Sequence, residues 1–113
     1  MTDTKITVRG NHFDDVDHDT KKLEWIGGAG KLQAARSLMD QLEPCLPTCP
    51  FCGAPTVLES RWAYSNPAVQ ALCTKCRSSS QLQVAGMNPF TRKEVSLSAC
   101  IIRAANLWRR RAS

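Results

Sequence analysis

The chain has 113 residues, of which 42% are hydrophobic and 6% aromatic, so we expect one domain with a modest apolar core. The net charge of +5 is unevenly spread, because residues 1–60 carry a net −3 and residues 61–113 a net +8. No stretch approaches the roughly 20 apolar residues of a membrane-spanning helix, and the N-terminal residues lack a signal-peptide pattern. We therefore expect a soluble, cytoplasmic protein.

Residues 1–44 are predicted to form an N-terminal extension that precedes the main unit, residues 45–113. Apolar and polar residues alternate from Lys5 to Arg9, which indicates a possible edge strand. Residues 12–19 are polar and acidic and predict a solvated loop, and the glycines within residues 27–30 predict a hinge. Apolar residues then recur at steps of three and four, which predicts an amphipathic helix over residues 31–43 that Pro44 ends.

Three short antiparallel strands are predicted next. Residues 57–64 alternate as a strand that places Leu58, Ser60, Trp62 and Tyr64 on one face. A turn at residues 65–67 leads into a returning strand at residues 68–72, and residues 81–84 supply the third strand. A final helix, capped by Ser96 or Ser98, has one apolar face made of Leu97, Cys100, Ile101, Ala104, Ala105 and Trp108. The predicted fold class is α+β.

Two Cys-x-x-Cys pairs carry the strongest chemical signal: Cys49 with Cys52, and Cys73 with Cys76. The 20 residues between the pairs allow a two-stranded excursion that returns the second pair to the first. This spacing is typical of one tetrahedral Zn²⁺ held by four thiolates, which makes the small sheet a zinc ribbon. Since all four positions are then filled by protein, we expect the zinc to be structural and worth on the order of 10 kcal/mol.

Other uses of the cysteines fit less well. Disulfides are disfavoured in the expected reducing compartment, and the Gly-Ala-Pro run after Cys52 cannot continue the helix that a thiol redox motif starts. A zinc deaminase needs a His-x-Glu element that the sequence lacks. Cys45 is an alternative ligand to Cys49, and Cys100 is expected in the core. We therefore expect a protein that is not an enzyme.

Basic residues form a candidate surface for nucleic acid or for an acidic patch on a protein. Cations at the end of a helix complement its dipole, but three consecutive arginines exceed that need. Those near the cysteines have a competing structural role, because four thiolates on one Zn²⁺ leave a charge of −2 to be offset. The candidate partner-binding residues are Arg61, Lys75, Arg77, Arg103, Arg109, Arg110 and Arg111.

The run from Cys49 to Ala54, the second cysteine pair and the helix end from Arg103 to Arg110 resemble the restriction-alleviation (Lar-type) proteins of phages and prophages. The resemblance covers about residues 45–112. Two positions depart from that family's pattern: Arg77 replaces a glycine that usually follows the second pair, and Arg109 replaces an asparagine that usually follows the tryptophan.

That resemblance implies a phage or prophage accessory protein in the bacterial cytoplasm. Such a protein would bind a host system directed at nucleic acid, such as a restriction enzyme, and relieve its action on phage DNA. Two alternatives stay open. One is a zinc-ribbon regulator that binds DNA or RNA directly, and the other is an inhibitor that sequesters a host protein through residues 1–44.

Overall fold

The computed structural model describes residues 12–14, 16–63, 65–87 and 92–112. The edge strand predicted at residues 5–9 lies outside this part of the chain. Within it, the fold is α+β, with helices around a three-stranded antiparallel sheet and a separate two-stranded ribbon. In chain order the elements are α1 (Thr20–Ile26), α2 (Ala29–Leu42), β1 (Thr56–Ala63), β2 (Asn66–Cys73), β3 (Gln83–Val84), β4 (Gly86–Met87), β5 (Glu94–Val95) and α3 (Leu97–Ala112).

The acidic segment before α1 is more ordered than predicted. Phe13 and Val16 are buried in the core, and a single 3₁₀ turn spans Val16–His18. Asp19 then caps α1 by accepting a hydrogen bond from the Lys22 N–H at 3.1 Å. The prediction of a solvated loop is therefore confirmed for the exposed Asp17 and His18 and wrong for Val16, because the apolar side chains of Phe13 and Val16 draw the segment onto the protein.

Helix α2 confirms the amphipathic helix predicted over residues 31–43, although it begins two residues earlier, at Ala29. Its buried residues are Leu32, Ala35 and Met39, which recur at the predicted steps of three and four. The helix ends at Leu42, and a 3₁₀ turn over Glu43–Cys45 contains the predicted breaker Pro44. Before α2, Gly27 and Gly28 both adopt positive φ, which accounts for the break between the two helices.

Strand β2 is the centre of the three-stranded sheet, whose order is β1-β2-β3. β1 pairs with it antiparallel, from Thr56 opposite Cys73 to Ala63 opposite Asn66. The turn predicted at residues 65–67 therefore comes one to two residues too late, since Asn66 and Pro67 already belong to β2. Strand β3 covers two of the four residues predicted for it, and the β4–β5 ribbon was not predicted.

Helix α3 packs its predicted face on this sheet. The Ser96 hydroxyl accepts a hydrogen bond from the Ala99 N–H at 3.1 Å, which makes Ser96 the cap rather than Ser98. Cys100, Ile101, Ala104, Ala105 and Trp108 are all buried, and one apolar cluster joins α3 to α2, the sheet and the segment at Phe13. None of the helices in the described ranges is long and apolar enough to cross a membrane.

Candidate metal centre

The four cysteines of the two predicted pairs lie together. Their Sγ atoms are all within 4.8 Å of one another. The Cys49 and Cys76 sulfurs are 3.6 Å apart and the Cys52 and Cys73 sulfurs 3.3 Å apart, far longer than a disulfide bond of about 2.05 Å. A regular tetrahedron with metal–sulfur bonds of about 2.3 Å has sulfurs about 3.8 Å apart. The cluster could therefore hold one metal ion.

The β1–β2 hairpin brings the pairs together, because one pair precedes β1 and the other begins at the last residue of β2. The two knuckles, defined as residues 49–54 and 73–78, have the same backbone pattern. In each, the N–H of the first cysteine donates to the carbonyl five residues on, at 2.9 Å to Ala54 and 2.8 Å to Ser78. The N–H two residues after that cysteine, in Phe51 and in Lys75, lies 3.4 Å from its sulfur.

One residue in each knuckle has a left-handed backbone, and the residue type differs. Gly53 follows the second cysteine of the first knuckle with φ of 78°, and Arg77 follows that of the second with φ of 68°. Glycine adopts this conformation without steric cost, whereas an L-residue with a side chain pays roughly 1–2 kcal/mol. Arg77 thus occupies a position where the backbone favours glycine.

Hydrogen bonds tune the thiols of the second knuckle toward metal binding. A hydrogen bond from the Ser78 side chain, together with one from its backbone, lowers the pKa of Cys76 to about 6. Burial raises the pKa of Cys73, but the N–H groups of Cys76 and Lys75 bring it below its ordinary value. These groups favour the thiolates that a metal requires.

The first knuckle holds a proton more tightly. The backbone of Ala54 lowers the pKa of the Cys52 thiol, but its hydrogen bond to Cys73 and its desolvation raise it to about 11. In a metal-free cluster a thiol beside thiolates keeps its proton and shares it with them. A metal ion would replace that proton, so its binding should release protons.

A backbone carbonyl and two buried cysteines connect the cysteine cluster to the hydrophobic core. The carbonyl of Pro47, two residues before Cys49, accepts the indole N–H of Trp108 at 3.0 Å and the hydroxyl of Thr56 at 2.9 Å. Cys49 and Cys73 are buried, whereas Cys52 and Cys76 are exposed. The centre therefore has one side on the core and the other facing solvent.

The two remaining cysteines lie outside the cluster. Cys45 is exposed on the turn after α2, and its thiol points to the Gln41 carbonyl at 3.7 Å. The alternative in which it replaces Cys49 as ligand is not the arrangement found. Cys100 is buried in α3 as predicted, and burial raises the pKa of its thiol.

The predicted basic surface is divided by the fold. The Arg111 guanidinium donates to the Ser79 carbonyl and lies over the Phe51 ring, 5.9 Å from its centre, so it joins α3 to the first knuckle and to the loop that follows the second. Arg109 donates to the Asn106 side chain at 2.9 Å, and Lys75 and Arg77 are exposed on the second knuckle. Arg103 and Arg110 are exposed on α3.

Arg61 is placed apart from the other basic candidates. Arg61 lies in β1 opposite Ala68 of β2. It is five residues along β1 from Thr56, which lies opposite Cys73. At the rise of a strand this is about 17 Å from the cysteine end of the hairpin. Arg61 therefore does not share a surface with Lys75 and Arg77, and it is too far away to offset the charge of a metal–thiolate centre.

A second polar cluster was missed at the sequence level. The buried His12 ring lies 3.1 Å from an oxygen of Asp40 on one side and of Glu43 on the other, and it also contacts the Leu58 carbonyl at 3.1 Å. Glu43 in turn accepts the Leu58 N–H at 2.9 Å. These contacts fasten the N-terminal segment to the outer edge of β1. They join residues up to 46 positions apart, a relation that no local pattern reveals.

No protein-family model, curated protein or solved structure matches this chain. Within the described ranges, the four-cysteine cluster is the one group of three or more Cys, His, Asp or Glu side chains placed to share a metal ion. The function is therefore inferred from this donor set and from the surfaces around it.

Proposed function

We propose that the cysteine cluster binds one structural Zn²⁺ and that the two knuckles with the β1–β2 hairpin form a zinc ribbon. The observation that carries this proposal is the meeting of four sulfurs within 4.8 Å at the ends of one hairpin. An all-sulfur tetrahedral site suits zinc, with iron as the main competitor. Four protein ligands leave no position for a reactive water, so the metal stabilises the fold and takes part in no reaction.

Metal analysis of the purified protein tests this part. We expect one zinc per chain, and we expect the zinc to be lost when either Cys49 or Cys73 is replaced by serine. The matched control is Cys45→Ser, which removes an exposed thiol outside the cluster and should leave one zinc bound. Iron in the native protein, or a disulfide between the pairs, would overturn the assignment.

At the level of the whole protein, the proposed function is binding to a host system directed at nucleic acid, as restriction-alleviation proteins do. It is supported by the resemblance of the knuckles and of α3 to that family, and by the net +8 charge of residues 61–113. With all four thiolates bound to zinc, neither the metal centre nor the His12 cluster offers an open metal position or a free nucleophile. A binding protein is therefore a better account than an enzyme.

A pull-down from host lysate, with and without nuclease treatment, tests the proposed function. A host protein retained after nuclease treatment supports it, and capture that nuclease abolishes supports direct nucleic-acid binding instead. The inhibitor alternative cannot be tested by deleting residues 1–44, because Phe13, Leu32 and Met39 belong to the shared core. Trp25→Ala is the better test, since Trp25 is 52% exposed on α1.

A further inference from the structure

A shallow cleft lies between α3 and the loop of residues 79–81, which follows the second knuckle. Its volume is about 380 Å³, and its lining consists of Ser79, Ser80, Gln81, Leu107 and Arg111. Because Leu107 and Arg111 line it, this flank of α3 faces the loop that leaves the second knuckle. Arg77 is exposed two residues before Ser79, at the knuckle end of the same loop.

The flank of α3 beside this cleft carries further arginines. Arg103 and Arg110 lie four residues before and three residues after Leu107, so all three share one side of the helix. Both arginines are exposed. They are seven residues apart, or about 10 Å along the helix axis.

Acidic side chains are rare in this part of the sequence. From residue 61 to residue 113 the one acidic residue is Glu94, which lies in β5 before the opposite end of α3. Clustered cations of one sign attract polyanions and release counterions when they bind. Charge complementarity therefore points to a polyanionic partner for the cleft.

Phe51 adds an exposed aromatic ring to this surface, which binding to a partner through charge alone would not require. It is 67% exposed on the first knuckle, with the Arg111 guanidinium 5.9 Å from its ring centre. Proteins that bind single strands combine a basic groove for the backbone with exposed aromatic rings on which bases stack. The bases of a duplex are already stacked on each other, so an exposed ring favours a single strand.

Arg77 supplies independent support. Its left-handed backbone, with φ of 68°, corresponds to that of Gly53 in the first knuckle. Glycine would relieve the steric cost of this conformation. A charged side chain that occupies such a position, exposed at the edge of a basic cleft, suggests a role for the side chain itself.

We propose that the surface made of Phe51, Arg77, Arg103, Arg110, Arg111 and the 79–81 loop binds single-stranded nucleic acid. The phosphates would contact the arginines along the cleft, and a base would stack on Phe51 beside Arg111. The inference goes beyond the proposed function, because it assigns a nucleic-acid ligand to this surface in addition to the proposed host-protein partner. The metal has no direct contact in this scheme, but it holds Phe51 and Arg77 in fixed positions.

The test uses the full-length, zinc-loaded chain and a fluorescent oligothymidine about 20 nucleotides long, with binding followed by anisotropy across a salt series. With three to four phosphate contacts, log K should fall with log salt at a slope of about −2 to −3. The same-length duplex and polyglutamate are the competing probes, and each should bind more weakly. Binding to polyglutamate but not to oligothymidine would overturn the proposal in favour of an acidic protein surface.

Arg77→Gly is the decisive variant, because it should keep or raise stability while it weakens binding and reduces the salt slope by about 0.7. Phe51→Ala should weaken binding about fivefold to a hundredfold with little change in slope. Lys21→Gln is the matched control, since it removes one exposed charge from α1, outside this surface. Wild-type affinity in Arg77→Gly, or equal losses in Lys21→Gln and Arg77→Gly, would overturn the proposal.

Failure of this test is distinguishable from failure of the broader proposal. A host protein that is retained in the nuclease-treated pull-down, by a chain that does not bind oligothymidine, would sink the single-strand proposal alone. Binding to oligothymidine with no nuclease-resistant partner would support the cleft as a nucleic-acid site and remove the host-protein partner.

Discussion

The two ends of the molecule are held in different ways. Around the cysteine cluster most residues are exposed, including Pro50, Phe51 and Gly53, so burial of apolar surface contributes little there. Around Trp108, by contrast, the side chains of Phe13, Met39, Leu58 and Ile101 are almost completely buried. The difference teaches that a small chain can confine most of its apolar residues to one region and leave another to depend on the metal that its cysteines are proposed to bind.

Metal loss should have the largest effect on this division. In Cys73→Ser we expect loss of zinc and of cooperative unfolding, since structural zinc contributes on the order of 10 kcal/mol, about as much as a whole small domain's stability. Thermal unfolding followed by circular dichroism is the measurement. Cys45→Ser should retain the wild-type transition. A metal-free chain with a cooperative transition would show that the apolar region folds without help.

Trp108 tests the connection between the two regions. Trp108→Ala removes a fully buried indole and should lower the free energy of unfolding by about 3–5 kcal/mol. Trp108→Phe keeps most of the packing but loses the donor to the Pro47 carbonyl, which should cost about 1 kcal/mol and weaken zinc affinity. Denaturant unfolding and chelator competition measure the two effects.

The matched control for Trp108→Phe is Trp62→Phe. The Trp62 indole N–H is buried and has no hydrogen-bond partner in the described part of the chain, so its removal loses no such bond. Zinc affinity should stay unchanged. Equal weakening in both variants would mean that the Pro47 carbonyl does not couple the core to the knuckles.

The elements that could be predicted from the sequence are those with a long enough pattern of apolar residues or a fixed cysteine spacing. Helices α2 and α3 and strands β1 and β2 were predicted to within a few residues, because their apolar residues repeat over at least two periods. The four sulfurs were predicted from spacing alone, since a hairpin between two knuckles has few ways to close. Helix α1, with seven residues and none fully buried, has too short a pattern to detect.

The remaining misses involve contacts between distant residues. Strands of two residues, as in β4 and β5, show no alternation. His12 lies between two carboxylates, and Arg111 lies over Phe51 of the first knuckle. Both placements follow from how the elements pack and not from any local pattern. The acidic segment was mispredicted because its many charges outweighed Phe13 and Val16 in composition, although those two decide its position.

Glu43 tests whether polar contacts matter as much as packing at the core end. Glu43→Ala removes the acceptor of the buried Leu58 N–H and one neighbour of His12, and should lower the free energy of unfolding by about 1–3 kcal/mol. Glu24→Ala, an exposed carboxylate on α1, is the control and should change stability little. If Glu43→Ala proved as stable as Glu24→Ala, the docking of the N-terminal segment would depend on Phe13 and Val16 alone.

The pH dependence of metal affinity sharpens the account of the cysteine end. With the pKa of Cys52 at about 11, its proton must leave when zinc binds, so zinc affinity should rise as the pH rises. Below the Cys76 pKa of about 6, a further proton must leave and the dependence on pH should become steeper. Chelator competition across this range is the measurement.

Ser78→Ala tests the cause of the steepening. It removes the side-chain hydrogen bond that lowers the Cys76 pKa, so the steep region should move to higher pH. The pH dependence above that region should change little, because Ala54, Cys73 and desolvation have larger effects on the pKa of Cys52 than Cys76 has. An unchanged profile would show that the Ser78 hydroxyl does not stabilise the thiolate.

The smallest expected effects are changes in stability from substitutions at the left-handed position of each knuckle. Arg77→Gly should raise the free energy of unfolding of the zinc-loaded protein by about 0.5–1 kcal/mol, because relief of the left-handed strain exceeds the added entropy of glycine in the unfolded chain. Gly53→Ala should lower it by a similar amount, and since an added Cβ meets no atom within 4 Å there, that cost is conformational. Denaturant unfolding at saturating zinc measures both. If Arg77→Gly instead destabilised the fold, the Arg77 side chain would be holding the second knuckle together, and its proposed role in binding would lose its separate support.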